Sequence, residues 1–214
     1  VDLRTNPIEY FLENQRMFWS QAGAHVWLSA VALLIGILVC VPIGIWISRY
    51  VRVAQYVINV FNAVRVLPSL VILFLALPYL GLGPRPALVA LTVLAFPPIL
   101  INTYAGLRNV DRSTIEAARG MGMSGFQTLR RIELPLALPA IIAGIRIAAV
   151  EVIASATLAA FIGGGGLGSF VTRGFALNDP GIMLVGAVPV ALLALLSDLS
   201  LGGLQRTLRV SAGT

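Results

Sequence analysis

Residues 116–135 read EAARGMGMSGFQTLRRIELP, a polar, arginine-rich stretch between two long apolar runs. Its fixed points are Glu116-Ala117-Ala118, then three residues to Gly122, then nine residues to Ile132-x-Leu134-Pro135. Two helix starts are legible here. Ser113-x-x-Glu116 and Ser124-x-x-Gln127 both fit the capping box, in which a hydroxyl and a later carboxylate or amide satisfy free backbone N–H groups. Between them Gly120, Gly122 and Gly125 permit backbone turns that a Cβ resists. The spacing predicts helix, glycine turn, helix, running into Pro135 at the head of an apolar run. An ordinary capped connector would use the same devices, so capping alone leaves the role of the loop open.

The surrounding chain is built for lipid. Apolar residues make up 58% of the 214 and charged residues 11%, with a mean hydropathy of +0.91. A soluble domain carries about 25% charged residues, and a core of this size could not bury so much apolar surface. A bilayer crossing needs about 20 apolar residues in helix. Residues 22–48, 56–80, 87–107, 134–162 and 182–204 meet that length, predicting an all-α, polytopic membrane protein with about five spans. Pro42, Pro68, Pro97, Pro98, Pro139 and Pro189 fall inside these spans. Membrane helices tolerate them where neighbours satisfy the freed carbonyls, and kinks are expected there. The division expected is an N-terminal interfacial segment, 1–21, and a transmembrane domain, 22–209, with a polar loop at 108–133. Residues 6–21 intersperse Tyr10, Phe11, Leu12, Met17, Phe18 and Trp19 with polar groups, which suits an amphipathic helix at the membrane surface. Asp2, Glu9 and Glu13 argue against a cleavable signal at the start.

Charge placement sets the topology. The net charge is +6, but the arginines gather at the ends of apolar runs and not along a polar face. That favours a topological role and argues against nucleic acid. With the 108–133 loop inside, Arg49, Arg52, Arg108, Arg112, Arg119, Arg130, Arg131, Arg206 and Arg209 face the cytoplasm, against Arg4, Arg16, Arg85 and Arg173 outside. The positive-inside bias therefore predicts an external N-terminus and a cytoplasmic C-terminus.

Catalytic chemistry has little to work with. His25 is the only histidine and Cys40 the only cysteine, so no Ser/His/Asp set, metal cluster or intrachain disulfide is expected, and His25 reads as an interfacial residue. All 15 basic residues are arginine. Gly163-Gly164-Gly165-Gly166-Leu167-Gly168 is then not a phosphate loop, which needs a lysine. It is either a flexible connector or an outer gate where backbones approach closely. The charges inside spans are Arg65, Arg146, Glu151 and Asp198, each costing at least about 2.5 kcal/mol if left in lipid. At 1.5 Å per residue, Arg65 and Asp198 lie at comparable depths, roughly 12 and 9 Å from the cytoplasmic end, so a pair between them is expected. Arg146 and Glu151 do not share a helix face, whereas Ser155 stands one turn beyond Glu151. These residues are read either as interhelical structural pairs or as a polar pathway lining.

The 116–135 spacing resembles the EAA loop of ABC-importer permeases. Leu67-Pro68-Ser69-Leu70, Asn102-Thr103-Tyr104-Ala105-Gly106-Leu107, Arg119–Met123, Glu133–Pro139 and the glycine run extend the likeness over residues 59–201, toward the osmoprotectant branch for glycine betaine, carnitine and choline. The resemblance implies a MetI-like fold and a non-enzymatic subunit. Its partners would be two ATPase subunits holding ATP and magnesium, a second permease subunit, identical or related, and an extracytoplasmic binding protein. The location implied is a bacterial inner membrane. It assigns ATPase coupling to Glu116, Ala117, Ala118, Gly122, Ile132, Leu134 and Pro135, with Gly120 in the same turn. A methionine or other small-amino-acid importer is the nearest alternative, and a channel or membrane scaffold the alternative of another class.

Overall fold

With no water in a bilayer core to satisfy the backbone, a chain this apolar closes its hydrogen bonds within helices. The structure, a computed structural model, describes residues 5–212, and side chains as far as residue 208. Arg4 and the side chain of Arg209 lie outside that description. Along the chain come α1 (Pro7–Glu13), α2 (Gln15–Ile47), α3 (Val51–Val66), α4 (Ser69–Leu80), α5 (Pro84–Arg108), α6 (Arg112–Gly120), α7 (Gly125–Thr128), α8 (Leu134–Ser155), α9 (Gly168–Ala176) and α10 (Pro180–Ala212). A π turn, Leu129–Glu133, joins α7 to α8, and a 3₁₀ segment, Ala156–Ile162, extends α8.

Four stretches are single helices long and apolar enough to cross a membrane: Gln15–Ile47, Pro84–Arg108, Gly125–Ile162 and Pro180–Leu208. The stretch expected as a single span at 56–80 is instead a bent helix pair, α3 and α4 meeting at 94°. Pro68 causes this by disfavouring helical backbone at the residue before it, and Leu67 is extended. The break is locally satisfied. The Leu67 amide donates to the Val64 carbonyl, and the Pro68 carbonyl accepts from Val71 and Ile72. Pro42, Pro97, Pro98, Pro139 and Pro189 instead sit inside helices that run on past them.

Helix α5 forms the centre, packed by α2, α3, α4 and α8, while α10 packs along α8. Small residues allow the close approach, as is common between membrane helices. A Cβ added at Gly144 of α8 would stand 2.6 Å from the Pro98 carbonyl of α5, and one at Gly44 of α2 would stand 2.7 Å from Thr103.

The N-terminal stretch divides elsewhere than at residue 21. Helix α2 begins at Gln15, so much of the polar segment and the first crossing are one helix. Tyr10, Phe11, Met17 and Phe18 pack with Leu167, just before α9, Phe170 of α9, and Val185 and Val190 of α10. Edge-on ring contacts join Tyr10 to Phe170 and Phe11 to Phe18. Tyr10, Phe11 and Phe18, expected at a lipid surface, thus cover protein, while Trp19 and Leu12 stay exposed.

Candidate functional site

The loop after α5 is assembled from short-range hydrogen bonds. Its first helix, α6, is capped by Asp111 and not by Ser113 as the sequence pattern suggested. The Ser113 amide donates to Asp111 Oδ1 at 3.1 Å and the Ser113 hydroxyl to Oδ2 at 2.6 Å. These bonds, the hydroxyl's first, hold the Asp111 carboxyl below the usual carboxylate range. Aspartate simply captures a free N–H group two residues earlier in the chain than Ser113 would. Glu116 and Ala117 are therefore exposed on α6 while Ala118 is buried.

Helix α6 ends at Gly120, and the chain reverses through Gly122 at φ +83°. L side chains rarely adopt that backbone, so the motif glycine is there for conformation. The second capping box forms as expected. The Ser124 amide donates to Gln127 Oε1 at 2.8 Å, and the Gln127 amide to Ser124 Oγ at 3.3 Å. From there α7, the π turn, α8 and the 3₁₀ segment form one continuous crossing, Gly125–Ile162. Leu129 and Leu134 pack on the core, Ile132 is half-buried and Pro135 is exposed.

Two groups in this loop escaped the sequence reading. Met121 and Phe126 are 77% and 70% exposed and bracket the Gly122 turn, giving a polar loop an apolar tip. Their signal was present, since Met121, Met123 and Phe126 are large apolar residues set among the glycines of a polar stretch. Glu133, by contrast, is 2% exposed and meets Arg49, just beyond α2, at 2.8 Å. No local spacing could have joined residues so far apart in sequence.

The charges inside the crossings are arranged otherwise than expected. Asp198 pairs with Arg146, not Arg65, through two parallel bonds: Nε to Oδ1 at 2.5 Å and Nη2 to Oδ2 at 2.6 Å. Helices α8 and α10 pack together, which places their facing side chains within reach, whereas α3 packs on α5. Arg65 is exposed and makes no ion-pair contact among the described residues, and Glu151 is half-buried. Ser155 is also half-buried.

At the opposite end of the molecule Gly164, Gly166 and Gly168 of the glycine run are tightly packed, while Gly163 is exposed. Gly163, Gly165 and Gly166 have positive φ, and a side chain at Gly168 would collide with the Thr157 carbonyl. A Cβ at Gly164 would lie 2.9 Å from the Ala159 oxygen. The Gly166 amide donates to Gln21 Oε1 at 2.8 Å. His25 is fully buried. Its Nε2 bonds the Ile153 carbonyl at 3.0 Å, and the ring packs against Gly166.

Residues 40–210 match the family model for the binding-protein-dependent transport system inner membrane component. The carnitine transport permease protein OpuCB of Listeria monocytogenes is 44% identical over 96% of this chain and 94% of its own length. The glycine betaine/carnitine/choline permease protein OpuCB and the choline permease protein OpuBB of Bacillus subtilis are each 44% identical, over 87% and 86% of this chain and 86% and 85% of their own. Among solved structures, the inward-facing MetNI methionine ABC transporter superposes with a TM-score of 0.78 at 22% identity, covering 95% of this chain and 99% of that one. That likeness establishes the fold.

Proposed function

This chain belongs to the binding-protein-dependent transport system inner membrane components, and from that membership we propose that it is the permease subunit of an ATP-driven importer of quaternary-amine osmolytes. The observation that carries the coupling part is the loop tip. Gly122 turns at positive φ, with exposed Met121 and Phe126 on either side and Glu116 on the adjoining helix. An apolar tip on a polar, pre-folded loop suits a groove on a partner protein, and the continuous helix behind it suits the passage of motion into the membrane.

ATP and magnesium belong to two partner ATPase subunits, because a chain without lysine offers no phosphate-loop lysine. A second permease subunit and an extracytoplasmic binding protein complete the assembly. The arginine bias supports a cytoplasmic loop, an external N-terminus and a cytoplasmic C-terminus in a bacterial inner membrane. Glu116, Ala117, Ala118, Gly120, Gly122, Ile132, Leu134 and Pro135 form the coupling element. The glycine run at 163–168 fits an outer gate, and Arg65, Glu151 and Ser155 fit a polar pathway lining. The substrate class follows the relatives named for carnitine, glycine betaine and choline transport. The likeness to the methionine transporter speaks for fold only.

Proteoliposomes holding the full complex test this reading. Labelled glycine betaine, carnitine or choline should accumulate only with ATP and the binding protein. Methionine uptake with no response to any quaternary amine would overturn the substrate class and leave the permease assignment standing.

A further inference from the structure

Glu133 sits at the joint between the loop and the α8 crossing, on the last residue of the π turn. A π turn inserts an extra residue into a helix, rotating the helix beyond it by about 100°. Here Arg130 and Arg131 stay exposed on the turn while Glu133 is buried. Its one charged partner among the described residues is Arg49, immediately after Ser48 at the C-terminal end of α2. Glu133 Oε1 is buried without a hydrogen-bond partner.

A buried carboxylate with one oxygen unsatisfied is a poor way to stabilise a fold, since well-packed apolar residues of similar volume commonly do as well or better. What an ion pair adds is a specific tie between two side chains. This one joins two elements that otherwise meet the loop differently. Helix α8 continues the loop through an unbroken helix, while α2 ends beside it with no chain connection to it.

We infer that the Arg49–Glu133 pair is a positioning contact for energy coupling, tying the end of the first crossing to the base of the coupling loop so that both move together. The inference rests on the permease reading above. A displacement entering at Met121–Phe126 travels down α7 to the π turn, and the pair passes it sideways to α2. Without the pair the cytoplasmic-side end of α2 loses its charged tie to the α7–α8 rod, while the His25–Ile153 bond and the packing of α2 on α8 remain farther along. Neither residue touches substrate or nucleotide in this scheme.

The test uses the assembled complex in proteoliposomes, scoring ATPase capture, ATP hydrolysis and glycine betaine, carnitine or choline uptake. Wild-type uptake in the same vesicles establishes the coupled transport on which the inference depends. Arg49→Met/Glu133→Leu removes the bond while restoring apolar packing, so it keeps the experiment informative where Glu133→Gln alone folds poorly. The double variant should capture the ATPase normally and hydrolyse ATP, but transport about tenfold less per ATP, within the range of coupling between distant sites. Arg49→Lys should recover most of the ratio. A wild-type ratio of uptake to hydrolysis in the double variant would overturn the inference, as would loss of ATPase capture, which would make the pair a support for docking alone. Gly122→Val separates the two cases, since damage at the docking tip lowers capture first.

Discussion

Asp179 fastens the start of α10 to the N-terminal segment. The Thr5 hydroxyl donates to one of its oxygens and the Gly181 amide to the other at 2.9 Å. The Thr5 bond foremost, with help from backbone amides, holds its carboxyl below the usual range. A depressed carboxylate contributes stability that is fully present above its unfolded value, about 3.9, and is lost as pH falls through the lower folded value. Asp179→Asn should therefore lower the unfolding temperature at neutral pH and flatten its decline in acid, measured by thermal unfolding in detergent. Parallel pH curves for the two proteins would rule this out. Arg146 and Asp198 make a sharper case at the same scale. Alanine at either should destabilise, the double apolar replacement should recover part of the loss, and Arg65→Ala should leave Asp198 unaffected. A double variant as unstable as the sum of the singles would deny the pair. The sequence put Arg65 and Asp198 at comparable positions along their apolar stretches because position follows from residue count. It mispaired them because depth says nothing about which helices are neighbours or which way each face turns.

Helices as units were more legible than their partners. Length and hydropathy sufficed for the crossings, and the Ser124–Gln127 box together with Gly122 located the second loop helix. The break in the second expected span was not distinguishable, since Pro68 looked like the other intramembrane prolines. Pro97 and Pro98 lie in α5, enclosed by four helices that hold it straight, whereas the α3–α4 corner is exposed and its freed groups find local partners. Asp111 was passed over because Ser113-x-x-Glu116 matches the capping pattern equally well. At this scale α8 carries the consequential prediction. A valine at Gly144 would drive its Cβ into the Pro98 carbonyl and Asn102, forcing α8 away from α5. Overpacking of this kind costs about 1–3 kcal/mol, so Gly144→Val should unfold at lower temperature and in less denaturant. Because α8 also carries the coupling loop, uptake per ATP should fall even in the fraction that folds. Wild-type stability would mean that the two helices separate at no cost.

The whole molecule leaves two kinds of apolar face uncovered, and only one of them suits lipid. Leu192, Leu195, Leu196 and Leu199 make an exposed stripe on unbroken helix α10, which hydrocarbon satisfies. The α3–α4 corner is different. Val66 is 81% exposed, but beside it stand an exposed arginine, Arg65, and a helix break of 94°. Interrupted backbone does not face lipid at membrane depth, and a charge there is costly. The corner must then look onto protein or a water-filled path, which is what the interface with a second permease subunit would supply. A cysteine cross-linking experiment in native membranes tests this, with Cys40 already buried and replaced by alanine for safety. Val66→Cys in the complete transporter should join two permease subunits on oxidation, and the yield should change when ATP is trapped on the ATPase. Leu192→Cys, on the lipid-facing stripe, should stay monomeric. Cross-linking at Leu192 with none at Val66 would reverse the assignment of the faces and place the partner on α10.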